Sequence, residues 1–216
     1  MPLVQTIKDQ IYEIIKKKIL MQEYPPGSKI NIGQVSKELG VSNSPIREAL
    51  NILEHQGLVI STPNTGVSVV SLTQRDHFEL SQMLLFWIVG SYEYLLEVHQ
   101  TDKLYNDMKA ILDTQKKCFK DKNIYDFTYY ANMFDRCILE KTGNKRLLAK
   151  FDQIFPLYFL GSVYDQAEDY KSCVLGLEQH EKILSAIQEE RHDDVIIALR
   201  EHHYKPIWDL RNKANS

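Results

Sequence analysis

The sequence predicts a mostly α protein of two parts, an N-terminal helix-turn-helix carrying a two-stranded β-hairpin and then an all-helical bundle. Three observations carry this expectation. Apolar residues recur at helical spacing up to Gln56 and are interrupted between Gly40 and Ser44; two short β-branched or apolar runs flank Pro63-Asn64-Thr65-Gly66; and from Thr73 onward no further strand pattern follows.

Val4, Ile7, Ile11, Ile14, Ile15 and Ile19 share one helical face, so residues 4 to 21 read as a first amphipathic helix. Tyr24-Pro25-Pro26-Gly27-Ser28 stops it, because prolines fix φ and remove donors while glycine permits a turn. Asn31 is placed to cap a short second helix with Val35 and Leu39 inward, and Gly40 is the residue expected just past its end. Ser44 followed by Pro45 has the form of an N-cap with proline at the first helical position. The third helix runs to about Gln56 with Ile46, Leu50 and Leu53 on one face, and Gly57 ends it. Leu58 to Ser61 and Val67 to Val70 then pair as a hairpin. These elements outline a winged helix-turn-helix over residues 1–72.

Thr73 and Asp76 can start a long helix to about Val98, and further helical stretches fall near 102–119, 123–141, 144–167, 172–190 and 193–212. Asp193 reads as the cap of the last. Residues 73–216 are therefore expected to form a separate helical domain of about six helices, joined by a linker at Ser71 to Thr73.

Composition agrees with an ordinary globular protein, 44% hydrophobic and 25% charged. No apolar run has the length of a membrane span and the first residues show no signal-peptide pattern, so no membrane partner and a cytoplasmic location are expected. Cys118, Cys137 and Cys173 are scattered, and read as reduced, mostly buried small residues. Net charge is −3, but residues 1–72 hold seven basic and six acidic residues, so the negative balance lies in the second part. That mild asymmetry permits a DNA-facing first module.

A helix entering the major groove presents polar side chains near its N-terminus, and phosphates favour hydroxyls and backbone N–H groups at helix starts. Ser42, Asn43, Ser44 and Arg47 supply these at the third helix. Arginine matches the O6 and N7 of guanine and asparagine pairs with adenine, so Arg47 with Asn43 forms a candidate base-reading pair. Lys16-Lys17-Lys18 reads instead as a solvated helix face.

The segments PPGSKIN, VSKELGVSNSPIREALNILEHQGLV and PNTGVSVVS resemble the DNA-binding domain of the GntR family of bacterial transcription regulators. The resemblance covers about 70 residues, and implies that Ser42, Asn43, Ser44 and Arg47 approach an operator from the recognition helix while Asn64, Thr65 and Gly66 approach it from the wing. The family commonly has arginine where Asn43 stands, and some members have arginine at Gly33. An altered operator and a shallower salt dependence are expected here.

The second part resembles the FadR-type effector domain of that family, called FCD, most closely in EQHEKILSAIQEERHDDVIIALREHH. His180 and His202 lie equally far from Arg191 in the turn, so an antiparallel hairpin sets both imidazoles at one height, roughly 16 Å from it. By the resemblance a further helix, YYANMFDRCILEKTGNKRL, carries an aspartate and a histidine four apart; here Ala131 and Asp135 stand there. Asp135, His180 and His202 make a depleted site for one divalent metal ion such as zinc or nickel. His203 competes with His202, and the alternative remains that these histidines bind no metal. His55, His77 and His192 are read as ordinary surface or boundary residues.

Where relatives often carry an arginine for a ligand carboxylate and a glutamate four residues on, this chain has Ser81 and Leu85. The helix FELSQMLLFWIVGSYEYLLEV is apolar almost all round and is expected to be buried on several sides. The effector expected is a small organic acid or an uncharged metabolite, with Arg136, Tyr130 and Tyr158 as candidate contacts beside Tyr129 and Tyr164. The whole reads as a non-enzymatic, ligand-responsive homodimer that binds a palindromic double-stranded DNA operator, and the resemblance implies a repressor. Two rivals are a metal-dependent hydrolase using Asp135, His180 and His202, and an effector-independent DNA-binding protein with a vestigial ligand domain.

Overall fold

In the computed structural model residues 6–167 and 170–213 are described, excepting the side chains of residues 102, 165–167, 170 and 204–213. The chain divides into two compact units, Met1–Leu72 and Thr73–Ser216.

The first unit contains α1 (Ile7–Leu20), β1 (Lys29–Ile30), α2 (Ile32–Leu39), α3 (Asn43–His55), β2 (Val59–Thr62) and β3 (Gly66–Val69). Its core is the shared apolar face of these elements: Ile11, Ile15 and Ile19 of α1 are buried with Val35, Ile46, Leu50, Leu53 and Leu58. Each such side chain stabilises by about 1.5–3 kcal/mol when fully withdrawn from water. Thr6 caps α1 through a reciprocal capping box with Asp9, so the helix begins later than the apolar stripe suggests, and Val4 lies outside the described residues. Ile14, expected on the inner face, is exposed.

Asn31 caps α2 by accepting from the Gln34 N–H at 3.1 Å, and Gly40 closes it with φ of +65°, a left-handed conformation that glycine adopts without a Cβ penalty. The start of α3 differs from expectation. Ser42, not Ser44, is the N-cap residue, and Pro45 is the third helical residue, which is tolerated because first-turn N–H groups have no helical acceptor. The wing also differs: its sheet has three strands in the order β1-β3-β2, Lys29 and Ile30 pairing antiparallel with Ser68 and Val67. A two-residue strand is too short to show an alternating pattern.

The second unit contains α4 (Gln74–Glu97), α5 (Thr101–Lys120), α6 (Ile124–Lys141), α7 (Lys145–Ala167), α8 (Tyr170–Gln188) and α9 (His192–Lys213). Thr73 and Asp76 form the capping box of α4. Asp193 lies inside the first turn of α9 and does not cap it, because that helix already begins at His192. One core joins α4, α5, α6, α7, α8 and α9 through residues such as Leu84, Ile88, Leu104, Phe134, Phe151, Ile183 and Leu199. α4 is less enclosed than its composition suggests: Leu84, Leu85 and Ile88 are buried, whereas Phe86 is 63% exposed. Cys137 and Cys173 are buried and Cys118 is half-buried, all as free thiols. Among the described residues no helix is long and apolar enough to cross a membrane.

Candidate functional site

Two surfaces carry chemistry, one in each unit. In the first unit Ser42, Asn43, Ser44 and Arg47 are all exposed around the first turn of α3, and Ser42 makes no side-chain cap hydrogen bond. The wing tip Asn64-Thr65-Gly66 is also exposed, with Asn64 at φ +63° and Gly66 at +96°. Arg47, Asn51, Asn64 and Gly66 line one open groove of about 690 Å³ between α3 and the wing. Asn51, one turn beyond Arg47, was not singled out from the sequence; a solvent-facing polar residue there gives no pattern of its own. The wing is fastened to α3 by Glu54, whose carboxylate accepts from the Ser61 N–H and hydroxyl. Lys18 pairs with Glu38, so the lysine run is partly engaged within the unit.

In the second unit a cavity of about 120 Å³ lies among all six helices. Asp135 enters from α6, His180 from α8 and His202 from α9; each offers a ligand atom within 4.8 Å of the others. The outer atoms of these residues are held. The Gln115 Oε1 on α5 accepts from the His180 Nδ1 at 2.8 Å, the Gln179 Oε1 accepts from the His202 Nδ1 at 2.8 Å, and His203 Nε2 stands 3.5 Å from Asp135 Oδ2. An amide oxygen only accepts, so each Nδ1 carries its proton and each Nε2 presents a lone pair. Those two Nε2 atoms face each other at 3.3 Å, and Asp135 Oδ1 is buried without a hydrogen-bond partner.

Burial pushes the His180 imidazolium down to about 4, against the pull of Asp135, and burial likewise lowers His202 well below its ordinary value. Burial opposes ionisation of Asp135, but His203 beside it holds the carboxyl below its usual range. Two neutral imidazoles with opposed lone pairs beside a carboxylate form a donor set that a cation satisfies. The separation also fits: two nitrogens bound to zinc at about 2.05 Å stand about 3.3 Å apart at the tetrahedral angle. Outer-sphere acceptors that fix the imidazole tautomers are what such a centre requires.

Tyr158, expected as an effector contact, lines this cavity. Arg136 is instead engaged by Glu140 and Asp152, and neither it nor Tyr130 is among the lining residues. His77, read from the sequence as a boundary residue, lines the cavity beside Ser81, one turn further along α4. His192 pairs with the Tyr92 hydroxyl at 3.0 Å. Gln115, Asn132 and Gln179 were not anticipated. Gln179 adjoins His180 in sequence, but Gln115 lies 65 residues away and only packing brings it there.

The description "Bacterial regulatory proteins, gntR family" matches residues 7–69, and the FCD domain matches residues 95–204, half of the chain. The chain is 25% identical over 191 residues to the gluconate operon transcriptional repressor of Bacillus licheniformis, covering 87% of this chain and 78% of that one. It is 28% identical over 214 residues to the Uxu operon regulator of Haemophilus influenzae, covering 89% and 77%. Its fold is similar to a GntR transcriptional regulator structure from Rhodococcus, with a TM-score of 0.76, 16% identity and coverage of 93% and 97%. With E. coli McbR/YncC the TM-score is 0.73 at 16% identity, covering 98% and 100%. Members of this family are transcription regulators. The chain belongs to the gntR family, as a ligand-responsive, DNA-binding transcription regulator whose second unit carries an FCD domain.

Proposed function

We propose that this regulator acts as a homodimeric repressor on a palindromic operator and that a small effector, bound in the cavity of the second unit, changes its hold on DNA. The observation that carries the DNA reading is the groove shared by Arg47, Asn51 and the wing residues Asn64 and Gly66. Ser42, Asn43 and Ser44 meet the phosphate and base edges at the start of α3, Arg47 reads a guanine, and Asn64, Thr65 and Gly66 follow the backbone from the wing. One module of this size buries too little DNA for tight selection, and two copies on two half-sites supply the rest. In this reading residues 1–72 form the DNA-reading domain and residues 73–216 the effector and dimerisation domain.

The donor geometry supports one divalent ion held by Asp135, His180 and His202. When bound, the ion supplies a Lewis-acidic position for an oxygen of the effector. The chain's own residues do the remainder: Gln115 and Gln179 fix the two tautomers, His203 orients Asp135, and Phe134 stacks on the His180 ring at 4.1 Å to hold its plane. The effector alters DNA binding only by preferring one of two conformations of the dimer.

Binding of the full chain to DNA from upstream of its own gene, against scrambled duplex at about 150 mM salt, tests the regulator. The upstream DNA should win, and Arg47→Ala should remove about 1–3 kcal/mol of that preference. Equal binding of both duplexes by the unaltered protein defeats the reading. Metal content of the same preparation, compared with His180→Ala/His202→Ala, tests the ion: about one per chain in the first and none in the second is expected.

A further inference from the structure

The cavity holds two carboxamides that are each half used. The Asn132 Nδ2 donates to the Thr128 backbone carbonyl at 2.8 Å, which leaves Oδ1 buried with no partner; the residue is 4% exposed. The Gln115 Oε1 accepts from His180, which leaves Nε2 buried with no partner; that residue is 0% exposed. Both residues line the same space. Beside Asp135 Oδ1 at the metal donor set, these two carboxamides therefore leave one unmet acceptor and one unmet donor in a polar cavity, where buried groups of this kind call for partners. No lysine or arginine lines that space among the described residues, so a negative charge on a ligand would find only the metal ion to meet it.

We propose that Gln115 and Asn132 are the ligand-recognising pair of this cavity, and that the effector is a small molecule carrying a hydroxyl beside a carbonyl-type oxygen. The ligand hydroxyl donates to Asn132 Oδ1 while its carbonyl oxygen accepts from Gln115 Nε2. The volume of about 120 Å³ sets the size; a cavity of about 150 Å³ takes a molecule as large as benzene. Gln115 then touches both the ligand and His180, so occupancy is felt at the metal donor set through one side chain. The inference rests on the cavity being the effector site, and deepens that reading by naming the chemistry it selects.

Three uncharged probes of equal size separate the two contacts: methyl glycolate, which has both groups; methyl propanoate, in which the hydroxyl is a methyl; and 2-methylbutan-1-ol, which keeps the hydroxyl and lacks the carbonyl. The full chain, with and without zinc, is titrated with each while its thermal midpoint is followed. Methyl glycolate should give a saturating rise, and each of the others should bind roughly tenfold or more weakly. Gln115→Glu keeps an acceptor for His180 but removes the donor, so it should abolish the preference for methyl glycolate over 2-methylbutan-1-ol. Asn132→Leu should abolish the preference over methyl propanoate. Equal binding of the three probes, no binding of any, or an unchanged preference in Gln115→Glu overturns the proposal. Failure of the metal reading shows separately, as equal near-zero zinc in the unaltered protein and in His180→Ala/His202→Ala.

Discussion

Glu54, near the end of α3, holds Ser61 at the start of the wing through two hydrogen bonds of 2.9 Å, one to the backbone N–H and one to the hydroxyl. The recognition helix and the wing are thereby set at a fixed angle by one carboxylate. A two-point link between the two elements proposed to face DNA has a measurable consequence.

Replacing Glu54 by Gln weakens one of these bonds without emptying the space. We expect a stability loss of about 0.5–1.5 kcal/mol in urea unfolding. The removed negative charge should raise affinity for scrambled duplex while operator affinity falls, because charge acts on both and wing placement acts on the operator alone. Parallel changes for both duplexes in fluorescence anisotropy would show that the link does not set the wing.

His180 is held neutral with its imidazolium pushed down to about 4. In the unfolded chain this group takes a proton below about 6.5, so the unfolded state binds more protons between the two values and native stability falls as pH drops through that window. For protein kept metal-free by a chelator, His180 alone should contribute a loss on the order of 3 kcal/mol between pH 7 and pH 4. Burial shifts His202 in the same direction, so the observed loss should be at least that large. In His180→Asn the slope should shrink; an identical slope would place the titration elsewhere.

Gln179 touches His202 only at Nδ1, on the side of the ring away from the Nε2 that faces His180. Gln179→Leu should leave helix content unchanged yet weaken zinc binding about 10–100-fold in competition with a chromogenic chelator, since the tautomer of His202 is no longer fixed. Unchanged affinity would make Gln179 a bystander.

At Gly161 on α7 an added Cβ would meet the His77 ring at 2.5 Å. Gly161→Ala forces that ring aside in a closely packed wall, and should destabilise the second unit by about 1–3 kcal/mol. Because His77 lines the cavity, the same substitution should reduce binding of methyl glycolate, whereas Gly90→Ala, at an exposed position of α4 with open space around the added Cβ, should not affect it.

The first unit was legible where local chemistry sets the chain. Asn31 and Gly40 cap α2 as read, because an asparagine side chain and a left-handed glycine act on their immediate neighbours. The cap of α3 was misplaced by two residues, since Ser42 and Ser44 have the same chemistry and only the path of the chain chooses between them. In the second unit, equal spacing from Arg191 set His180 and His202 at one level on α8 and α9, and their Nε2 atoms are 3.3 Å apart.

By itself the sequence determined the helical periods, the turn that starts the recognition helix, the hairpin around Asn64 and the pairing of two histidines, because each follows from spacing along one or two helices. Only the tertiary structure decided that β1 joins the wing sheet, that His77 reaches the cavity and Arg136 does not, and that Gln115 and Asn132 each leave one atom free inside it. The physical reason is that a hydrogen bond between Gln115 and His180 depends on how α5 packs on α8, and packing between helices far apart in the chain leaves no period for the sequence to show.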